Sequence, residues 1–222
     1  MHLEKNPIII CAIDTNNVQI AKDIIQELHG VIPIFKIGLE YFTMNGMFSA
    51  AIHNQLQPSF FLDLKFHDIP NTVYGAISGL RKFEGVSMTT VHAAGGTKMM
   101  EAAVEAAEGK FDILAVTLLT SIADQNATDI VLERTADALN AGVAGIVCSP
   151  QEVKAVRKEF GDDFKIVVPG IRLFGYNNDD QKRTGTPKQT MEDGATHLVI
   201  GRPITQADNP RNATIEIINS FN

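Results

Sequence analysis

Cysteine and long apolar segments are both scarce in this sequence, and their scarcity narrows the class of protein. The two cysteines among the 222 residues, Cys11 and Cys148, lie in apolar stretches without Cys-x-x-Cys spacing. Residues 1–7 lack the basic and apolar regions of a secretion signal. We therefore expect reduced, buried cysteines in a cytoplasmic protein. No apolar run approaches the ~18–20 residues that cross a bilayer, so we expect no membrane segment.

Basic residues are few relative to acidic ones. The chain has 19 Lys and Arg against 26 Asp and Glu, which gives a net charge of −7. Because binding to a nucleic-acid backbone requires a basic surface, we expect no nucleic-acid partner. A mononucleotide ligand remains compatible, since a few local cations suffice. The hydrophobic content of 45% with 20% charged residues is typical of a globular protein. No linker or low-complexity stretch interrupts residues 1–222, which we expect to form one domain.

Apolar residues recur in eight short runs separated by helical patterns. Such runs predict buried strands, and their alternation with helices predicts a parallel α/β architecture. Strands are predicted over residues 8–13, 32–37, 60–65, 86–91, 113–119, 143–148, 165–168 and 197–200. Helices are predicted over residues 18–28, 44–52, 70–83, 97–108 and 128–140, at the capping boxes 149–152 and 186–189, and from residue 209. Since no Gly-x-Gly-x-x-Gly follows the first strand, the pattern favours a single (β/α)8 TIM barrel over a doubly wound sheet.

One stretch, residues 60–72, concentrates charge at the end of a predicted strand. It reads Phe-Phe-Leu-Asp-Leu-Lys-Phe-His-Asp-Ile-Pro-Asn-Thr, and strand alternation puts Asp63 and Lys65 on the same face. Two opposite charges on an apolar strand are costly to bury unless they pair with each other or with a ligand. An isolated Asp-x-Lys favours an exposed ion pair. The addition of Asp68 favours a proton-handling cluster at a strand-to-helix loop instead.

Charged side chains also end the two preceding strands. Asp14 follows the first strand, Lys36 lies near the end of the second, and Asp63 and Lys65 end the third. Because the carboxyl ends of barrel strands form one face where catalytic groups collect, we expect these side chains to converge there. For Asp14 alone a helix-capping role is equally compatible. Lys36 has apolar neighbours and needs a partner.

The loops after the seventh and eighth strands carry one arginine each. Arg172 ends Pro-Gly-Ile-Arg, and Arg202 follows Gly201 in Gly-Arg-Pro. These two loops commonly hold phosphate in barrels, and a guanidinium matches phosphate oxygens in a bidentate way. Each arginine alone is compatible with a solvated loop charge, but the pair favours a phosphate site. Residues 173–185 between them fit either a lid over a substrate or an inert surface loop.

Three further residues near strand ends allow more than one interpretation. His67 and His92 could in principle ligate a metal together with Asp63. No His-x-x-x-His or comparable spacing supports such a site, so we predict none. Thr120, after the fifth strand, is compatible on its own with a helix or loop cap.

The string Asp-x-Lys-x-x-Asp-Ile-Pro-Asn-Thr, which starts at Asp63, closely resembles the signature of the orotidine 5′-monophosphate decarboxylase family. The shorter Asp-x-Lys-x-x-Asp is less specific, because related phosphosugar decarboxylases and aldolases share it. The resemblance extends over essentially the whole chain. It implies a (β/α)8 barrel that converts orotidine 5′-monophosphate to uridine 5′-monophosphate and carbon dioxide without a cofactor, as the last step of UMP biosynthesis.

The resemblance also implies a role for each matching residue. The implied catalytic residues form an alternating array of Lys36, Asp63, Lys65 and Asp68, in which Lys65 protonates carbon 6 of the pyrimidine. Asp14 matches a ribose ligand, and Thr120 matches a base-binding hydroxyl. The implied phosphate ligands are Arg172, Gln181, Gly201 and Arg202. Further substrate-binding residues along the signature are Leu64, Phe66, His67, Ile69, Pro70, Asn71 and Thr72. Since residues 68–72 would reach the neighbouring subunit's site, the resemblance implies a homodimer.

Two other classes remain compatible with the residues. A related phosphosugar lyase would use the same barrel with Mg²⁺. The Ile-Pro-Asn-Thr that follows Asp68, together with Pro-Gly-Ile-Arg, argues against it. A nucleotide-binding protein without turnover would retain the phosphate site, but it would not require the complete charged array.

Overall fold

The computed structural model describes residues 8–46, 56–122, 124–172 and 183–221. Eight parallel strands pair in chain order, and the last strand pairs with the first, so that the sheet closes into a barrel. The strands are β1 Ile8–Ile13, β2 Ile34–Gly38, β3 Ser59–Phe66, β4 Val86–His92, β5 Asp112–Val116, β6 Gly145–Val147, β7 Lys165–Val168 and β8 His197–Ile200. The predicted single (β/α)8 barrel is therefore confirmed.

Helices connect the strands on the outside of the barrel. They are α1 Val18–Leu28, α2 Leu39–Asn45, α3 Pro70–Leu80, α4 Thr97–Ala107, α5 Ala127–Asn140, α6 Val153–Phe160, α7 Pro187–Glu192, α8 Arg202–Thr205 and α9 Pro210–Asn219, with a 3₁₀ turn at Ala93–Gly95. The first helix shows how the sequence specifies such an element. The Asn17 side chain caps it by accepting the N–H groups of Gln19 and Ile20, and its apolar stripe is buried.

Several predicted boundaries differ from the structure. The fifth strand ends at Val116 rather than at residue 119, because Val116 pairs with Val147 at the end of β6 and the chain then leaves the sheet. The box at 149–152 does not open a helix with proline in its first turn, since residues 150–152 form a turn and α6 begins at Val153. The helix predicted over 44–52 corresponds in part to α2, and residues 47–52 lie outside the described ranges.

The core has two layers. One apolar cluster lies between the strands and the surrounding helices, and a second consists of alternate strand residues that fill the barrel. Members of the second cluster are Ile10, Ala12, Ile34, Phe61, Met88, Leu114, Val167 and Val199. Strand alternation continues this inward face to Asp14, Lys36 and Asp63. The charged side chains at the carboxyl end therefore lie directly above an apolar plug.

The amino-terminal end of the barrel carries a separate polar group. Lys165 at the start of β7 forms an ion pair with Asp112 at the start of β5. His197 at the start of β8 is 4% exposed, and its Nδ1 lies 2.8 Å from the Thr196 hydroxyl. Burial, reinforced by Lys165 and opposed by Asp112, lowers the pKa of His197 to about 4. These groups lie at the end of the barrel associated with stability rather than catalysis.

The two cysteines are packing residues of the barrel wall. Cys11 and Cys148 are both buried and free, which confirms the expected burial. Burial, with the Asp14 carboxylate near Cys11 and the Glu152 carboxylate near Cys148, raises the pKa of both thiols. Among the described helices, none combines the length and apolar character needed to span a bilayer.

Candidate active site

Four charged side chains form a ladder of alternating sign across the first three strands. The Lys36 Nζ lies 3.1 Å from Asp14 Oδ1 and 4.0 Å from Asp63 Oδ2. The Lys65 Nζ lies 2.8 Å from the same Asp63 oxygen. The Lys36 side chain is 11% exposed, whereas the Lys65 side chain is 31% exposed and reaches the solvent side of the ladder. Each cation thus has a carboxylate partner, as the sequence predicts for charges in apolar strands.

Asp63 is the most enclosed carboxylate of the ladder, with 16% of its side chain exposed. Burial by itself favours the neutral carboxyl. The charges of Lys36 and Lys65, with hydrogen bonds from Lys65 and Thr90, outweigh burial and lower the pKa of Asp63. Asp63 is therefore a fixed negative charge at neutral pH.

Thr90 braces this arrangement and was missed in the sequence analysis. It is fully buried in β4, where its hydroxyl donates to Asp63 Oδ1 at 3.0 Å and accepts the Lys65 N–H at 2.9 Å. Thr89 beside it donates to the Leu62 carbonyl at 2.8 Å. The available signal was a pair of threonines inside an otherwise apolar strand next to β3. Only the barrel closure shows that Thr90 faces the ladder.

The backbone at Lys65 is strained. Its φ is +50°, in the left-handed region that non-glycine residues seldom adopt, and the pairing of β3 with β4 shifts register between Leu62 and Phe66. Such a conformation costs about 1–3 kcal/mol and persists where the surroundings enforce it, commonly at functional sites. At this irregularity in the strand, the Lys65 side chain contacts Asp63 two residues earlier in β3.

A cavity of about 280 Å³ opens at the carboxyl end of the barrel, above the ladder. The predicted site residues that line it are Asp14, Lys36, Asp63, Lys65, Thr120, Arg172, Gly201 and Arg202. The wall is completed by apolar residues that include Leu118, Leu119 and Cys148. Four cations and two carboxylates thus border the cavity of a protein whose net charge is −7. This local excess of positive charge suits an anionic ligand.

Two glycines leave room for the charged groups at the mouth. A Cβ on Gly38 would lie 3.1 Å from the Lys36 Nζ, and one on Gly201 would lie 3.4 Å from an Asp14 carboxylate oxygen. The same Cβ on Gly201 would also lie 3.4 Å from the Ala12 Cβ. The contact at position 38 is tighter than ordinary van der Waals packing and favours glycine there, whereas the contacts of a Cβ at position 201 are of ordinary length.

The rest of the predicted signature lies away from this cavity within one chain. Leu64 is buried in the core, Phe66 packs against it, and the His67 ring stacks on His92 with centroids 5.3 Å apart. The exposed residues at the start of α3 are Asp68, Ile69, Pro70, Asn71 and Thr72. Asp68 accepts the Ile69 N–H at 2.7 Å. Gln181 lies outside the described residues, so its predicted phosphate contact stays a prediction.

The histidines at the ends of β3 and β4 do not form a metal cluster. The His92 Nδ1 accepts the Ala94 N–H at 3.3 Å. Burial, together with the charges of His67, Arg134 and Lys65, lowers the pKa of His92. Across the described part of the chain, no three His, Cys, Asp or Glu side chains group in a way that could hold a metal.

Comparison with known proteins agrees with this geometry. A family model described as orotidine 5′-phosphate decarboxylase / HUMPS family matches residues 7–217. An orotidine 5′-phosphate decarboxylase from Ehrlichia canis is 42% identical over 227 residues, which cover 98% of each chain. One from Paramagnetospirillum magneticum is 43% identical over 225 residues, covering 94% of this chain and 95% of the relative.

Solved structures give the same result. The crystal structure of orotidine 5′-phosphate decarboxylase from Lactobacillus acidophilus has 35% sequence identity and a TM-score of 0.81, covering 98% of this chain and 99% of that one. An uncharacterized conserved protein from Geobacillus kaustophilus has 30% identity and a TM-score of 0.80, covering 96% and 100%. The matched lengths and identities leave one conclusion: the chain belongs to the orotidine 5′-phosphate decarboxylase / HUMPS family.

Proposed function

We propose that this protein decarboxylates orotidine 5′-monophosphate to uridine 5′-monophosphate without a cofactor, and that Lys65 protonates carbon 6. The observation that supports this most strongly is the Lys65 ammonium held 2.8 Å from the enclosed Asp63 carboxylate at the edge of a positively charged cavity. Family membership supports the same substrate, because the relatives from Ehrlichia canis, Paramagnetospirillum magneticum and Lactobacillus acidophilus are named orotidine 5′-phosphate decarboxylases. In this proposal the reaction is the last step of UMP biosynthesis.

The chemistry requires a fixed cation beside the reacting carbon. When the bond from carbon 6 to the carboxylate breaks, its electron pair stays on carbon 6, where no adjacent carbonyl can delocalise it. An ammonium positioned there stabilises the carbanion as it forms and then transfers a proton to it. Lys65 is left as the neutral amine and regains a proton from solvent. Its exposed fraction of 31% is consistent with that return step.

The remaining members of the array fix the positions of Lys65 and of the carboxylate beside it. Asp63 lies next to Lys65, so it would face the departing carboxylate and disfavour it in the bound substrate. Lys36 bridges Asp14 and Asp63, which keeps Asp63 ionised and in place. The Thr90 hydroxyl fixes both the Asp63 side chain and the Lys65 backbone. The groups are held before substrate binds, as electrostatic preorganisation requires.

The other lining residues suit the remote parts of the nucleotide. Arg172 and Arg202 border the same cavity and would bind the 5′-phosphate, with Gly201 between β8 and Arg202. Asp14 would bind the ribose, and Thr120 would bind the base. Phosphate binding far from carbon 6 supplies interaction energy that can order the site for the chemical step.

We further propose a homodimer in which residues 68–72 complete the neighbouring site. Asp68 is exposed and is not among the residues that line its own chain's cavity, and Ile69 beside it is 66% exposed. A partner subunit would bury Ile69 and bring Asp68 to a second ladder. We place the reaction in the cytoplasm because both cysteines are free.

The dimer proposal has a direct test by complementation. If each site takes Lys65 from one subunit and Asp68 from the other, a Lys65→Ala chain paired with an Asp68→Ala chain has one intact site. Random mixing by coexpression makes half the dimers mixed, so activity should recover to about a quarter of wild type. Mixed dimers that form but are no more active than the parent proteins would place both residues in one subunit's site.

The function itself is tested by adding orotidine 5′-monophosphate to purified protein in excess EDTA. We expect the ultraviolet absorbance to change as the substrate becomes uridine 5′-monophosphate, with the product verified by chromatography. Activity that is lost in EDTA and restored by Mg²⁺ would instead indicate metal-assisted chemistry of the phosphosugar-lyase type. Tight binding of uridine 5′-monophosphate without turnover would indicate a nucleotide-binding protein.

A further inference from the structure

A second buried ion pair lies beside the cavity and has no role in the mechanism above. The Arg183 Nη1 lies 2.6 Å from Glu152 Oε1, and the two residues are 5% and 1% exposed. Glu152 belongs to the loop after β6, and Arg183 lies between β7 and α7. Neither residue lines the cavity. Burying two charges is costly, and their attraction offsets that cost only where the geometry is good and further hydrogen bonds satisfy the remaining polar atoms.

The pair connects the two loops that form one wall of the cavity. The Arg183 Nη2 donates to the Leu119 carbonyl at 3.0 Å, and Leu119 lines the cavity beside Thr120. On the other side, Glu152 Oε2 accepts the Ser149 N–H at 3.2 Å and also the Ser149 hydroxyl. Ser149 follows Cys148, which lines the same wall. One guanidinium–carboxylate unit thus joins the loop after β5 to the loop after β6.

The loop after β5 is held at its other end by a different arginine. The Arg134 Nη1 of α5 donates to the Thr117 carbonyl at 2.6 Å, and the Thr117 hydroxyl donates to the Val147 carbonyl at 2.9 Å. Thr117 still donates its N–H to the Val147 carbonyl at 3.1 Å, but the next three residues have left the sheet. Their position therefore depends on the anchored Thr117 and on the Leu119 carbonyl, which accepts from Arg183 Nη2 and from the Ile122 N–H, each at 3.0 Å.

We infer that Arg183 and Glu152 are positioning residues for base recognition. By fixing the Leu119 carbonyl, the pair sets where Leu118 and Thr120 lie in the wall that the pyrimidine would contact. This inference rests on the proposed function, in which Thr120 binds the base, Arg202 after β8 binds phosphate, and Arg172, on the same loop as Arg183, also binds phosphate. It predicts that disturbing the pair weakens recognition of the base more than recognition of the ribose phosphate.

The test compares two ligands that differ only in the base. Uridine 5′-monophosphate carries base, ribose and phosphate, and ribose 5-phosphate lacks the base. For Arg183→Met we expect the Kd of uridine 5′-monophosphate to rise about tenfold or more, because a buried charge-assisted contact is lost. The Kd of ribose 5-phosphate should rise by a clearly smaller factor, because Arg202 lies on a different loop. Arg183→Lys should fall between, since a single ammonium reaches Glu152 or the Leu119 carbonyl but lacks the two-pronged fork.

Arg157→Met is the matched control. The Arg157 Nε also donates to a backbone carbonyl, that of Gly194, at 2.8 Å, and Arg157 lies away from the cavity. We expect it to lower thermal stability without changing the ratio of the two dissociation constants. A merely structural arginine at position 183 would behave in the same way.

A double variant keeps the inference testable if Arg183→Met does not fold. Glu152→Met with Arg183→Met removes both charges, so no unpaired charge remains buried. We expect this protein to fold and to show the same selective loss for uridine 5′-monophosphate. A folded double variant with the wild-type ratio of dissociation constants would overturn the inference, as would equal weakening of both ligands. Failure of the wild type to decarboxylate orotidine 5′-monophosphate would refute the proposed function separately.

Discussion

Replacement of Thr90 by valine removes the hydroxyl that connects Asp63 to the Lys65 backbone. Valine has nearly the same shape, so the change leaves no cavity and isolates the two hydrogen bonds. The Asp63 carboxylate loses a charge-assisted donor at 3.0 Å, and the Lys65 N–H loses its acceptor at 2.9 Å. Since Thr90 is fully buried, water does not replace either partner at that position.

The magnitude follows from those two bonds. A hydrogen bond to a charged group contributes ~1.5–3 kcal/mol and a buried amide without an acceptor loses ~1–3 kcal/mol, so the free energy of unfolding should fall by about 2.5–6 kcal/mol. The contact to Asp63 also fixes the charge beside Lys65. If most of that ~1.5–3 kcal/mol stabilises the transition state for decarboxylation, its loss lowers kcat about 10- to 100-fold. KM should change less, because the phosphate contacts are untouched.

Two further threonine variants separate chemistry from stability. Thr90→Ser keeps the hydroxyl and should retain kcat within a few-fold. Thr89→Val removes an equally buried hydroxyl from the same strand, but its contact is the Leu62 carbonyl and not the ladder. Steady-state kinetics and urea unfolding of all three proteins measure both quantities. Wild-type kcat in Thr90→Val, or an equal loss of kcat in Thr89→Val, would refute the role of Thr90.

Two other perturbations test the phosphate site and the far end of the barrel. Arg202→Ala should weaken orotidine 5′-monophosphate far more than orotidine, and equal losses in kcat/KM would remove Arg202 from the phosphate site. The pKa of His197 is lowered to about 4 in the fold, so below pH ~6.5 the unfolded chain binds this proton more readily, and stability falls until about pH 4. The loss between pH 7 and pH 5 should be about 2 kcal/mol, and His197→Gln should reduce the fall in unfolding free energy across that interval by about the same amount. An unchanged fall in unfolding free energy over this pH interval in His197→Gln would contradict the assignment.

The strands and the ladder were predictable because their signals are local. Continuous apolar runs such as Ile8–Ile13 report burial on both faces of a strand, and alternation placed Asp63 and Lys65 on one face. The carboxyl ends of the parallel strands in a barrel lie on one face. Asp14 and Lys36, at the ends of β1 and β2, were therefore expected to lie beside Asp63 and Lys65. Ion pairing among these side chains then follows from the cost of burying them alone.

The missed features all depend on contacts between distant parts of the chain. Thr90 meets Asp63 only because β4 closes beside β3 with a register shift, and no local pattern encodes that shift. Glu152 makes the capping-box contact that its spacing from Ser149 predicts, because its Oε2 accepts the Ser149 N–H. Its other carboxylate oxygen pairs with Arg183, which is 31 residues further along the chain, and no local pattern predicts that contact.

The central claim, that Lys65 supplies the proton to carbon 6, is tested most directly by single-turnover decarboxylation with Lys65→Ala in excess over substrate. Alanine keeps the Cβ and therefore the backbone strain at position 65, and Lys36 still balances Asp63. With protein in excess, product release does not mask the chemical step. The account predicts a folded variant that binds uridine 5′-monophosphate but forms no measurable product. A variant that retains more than a small fraction of the wild-type single-turnover rate would contradict it.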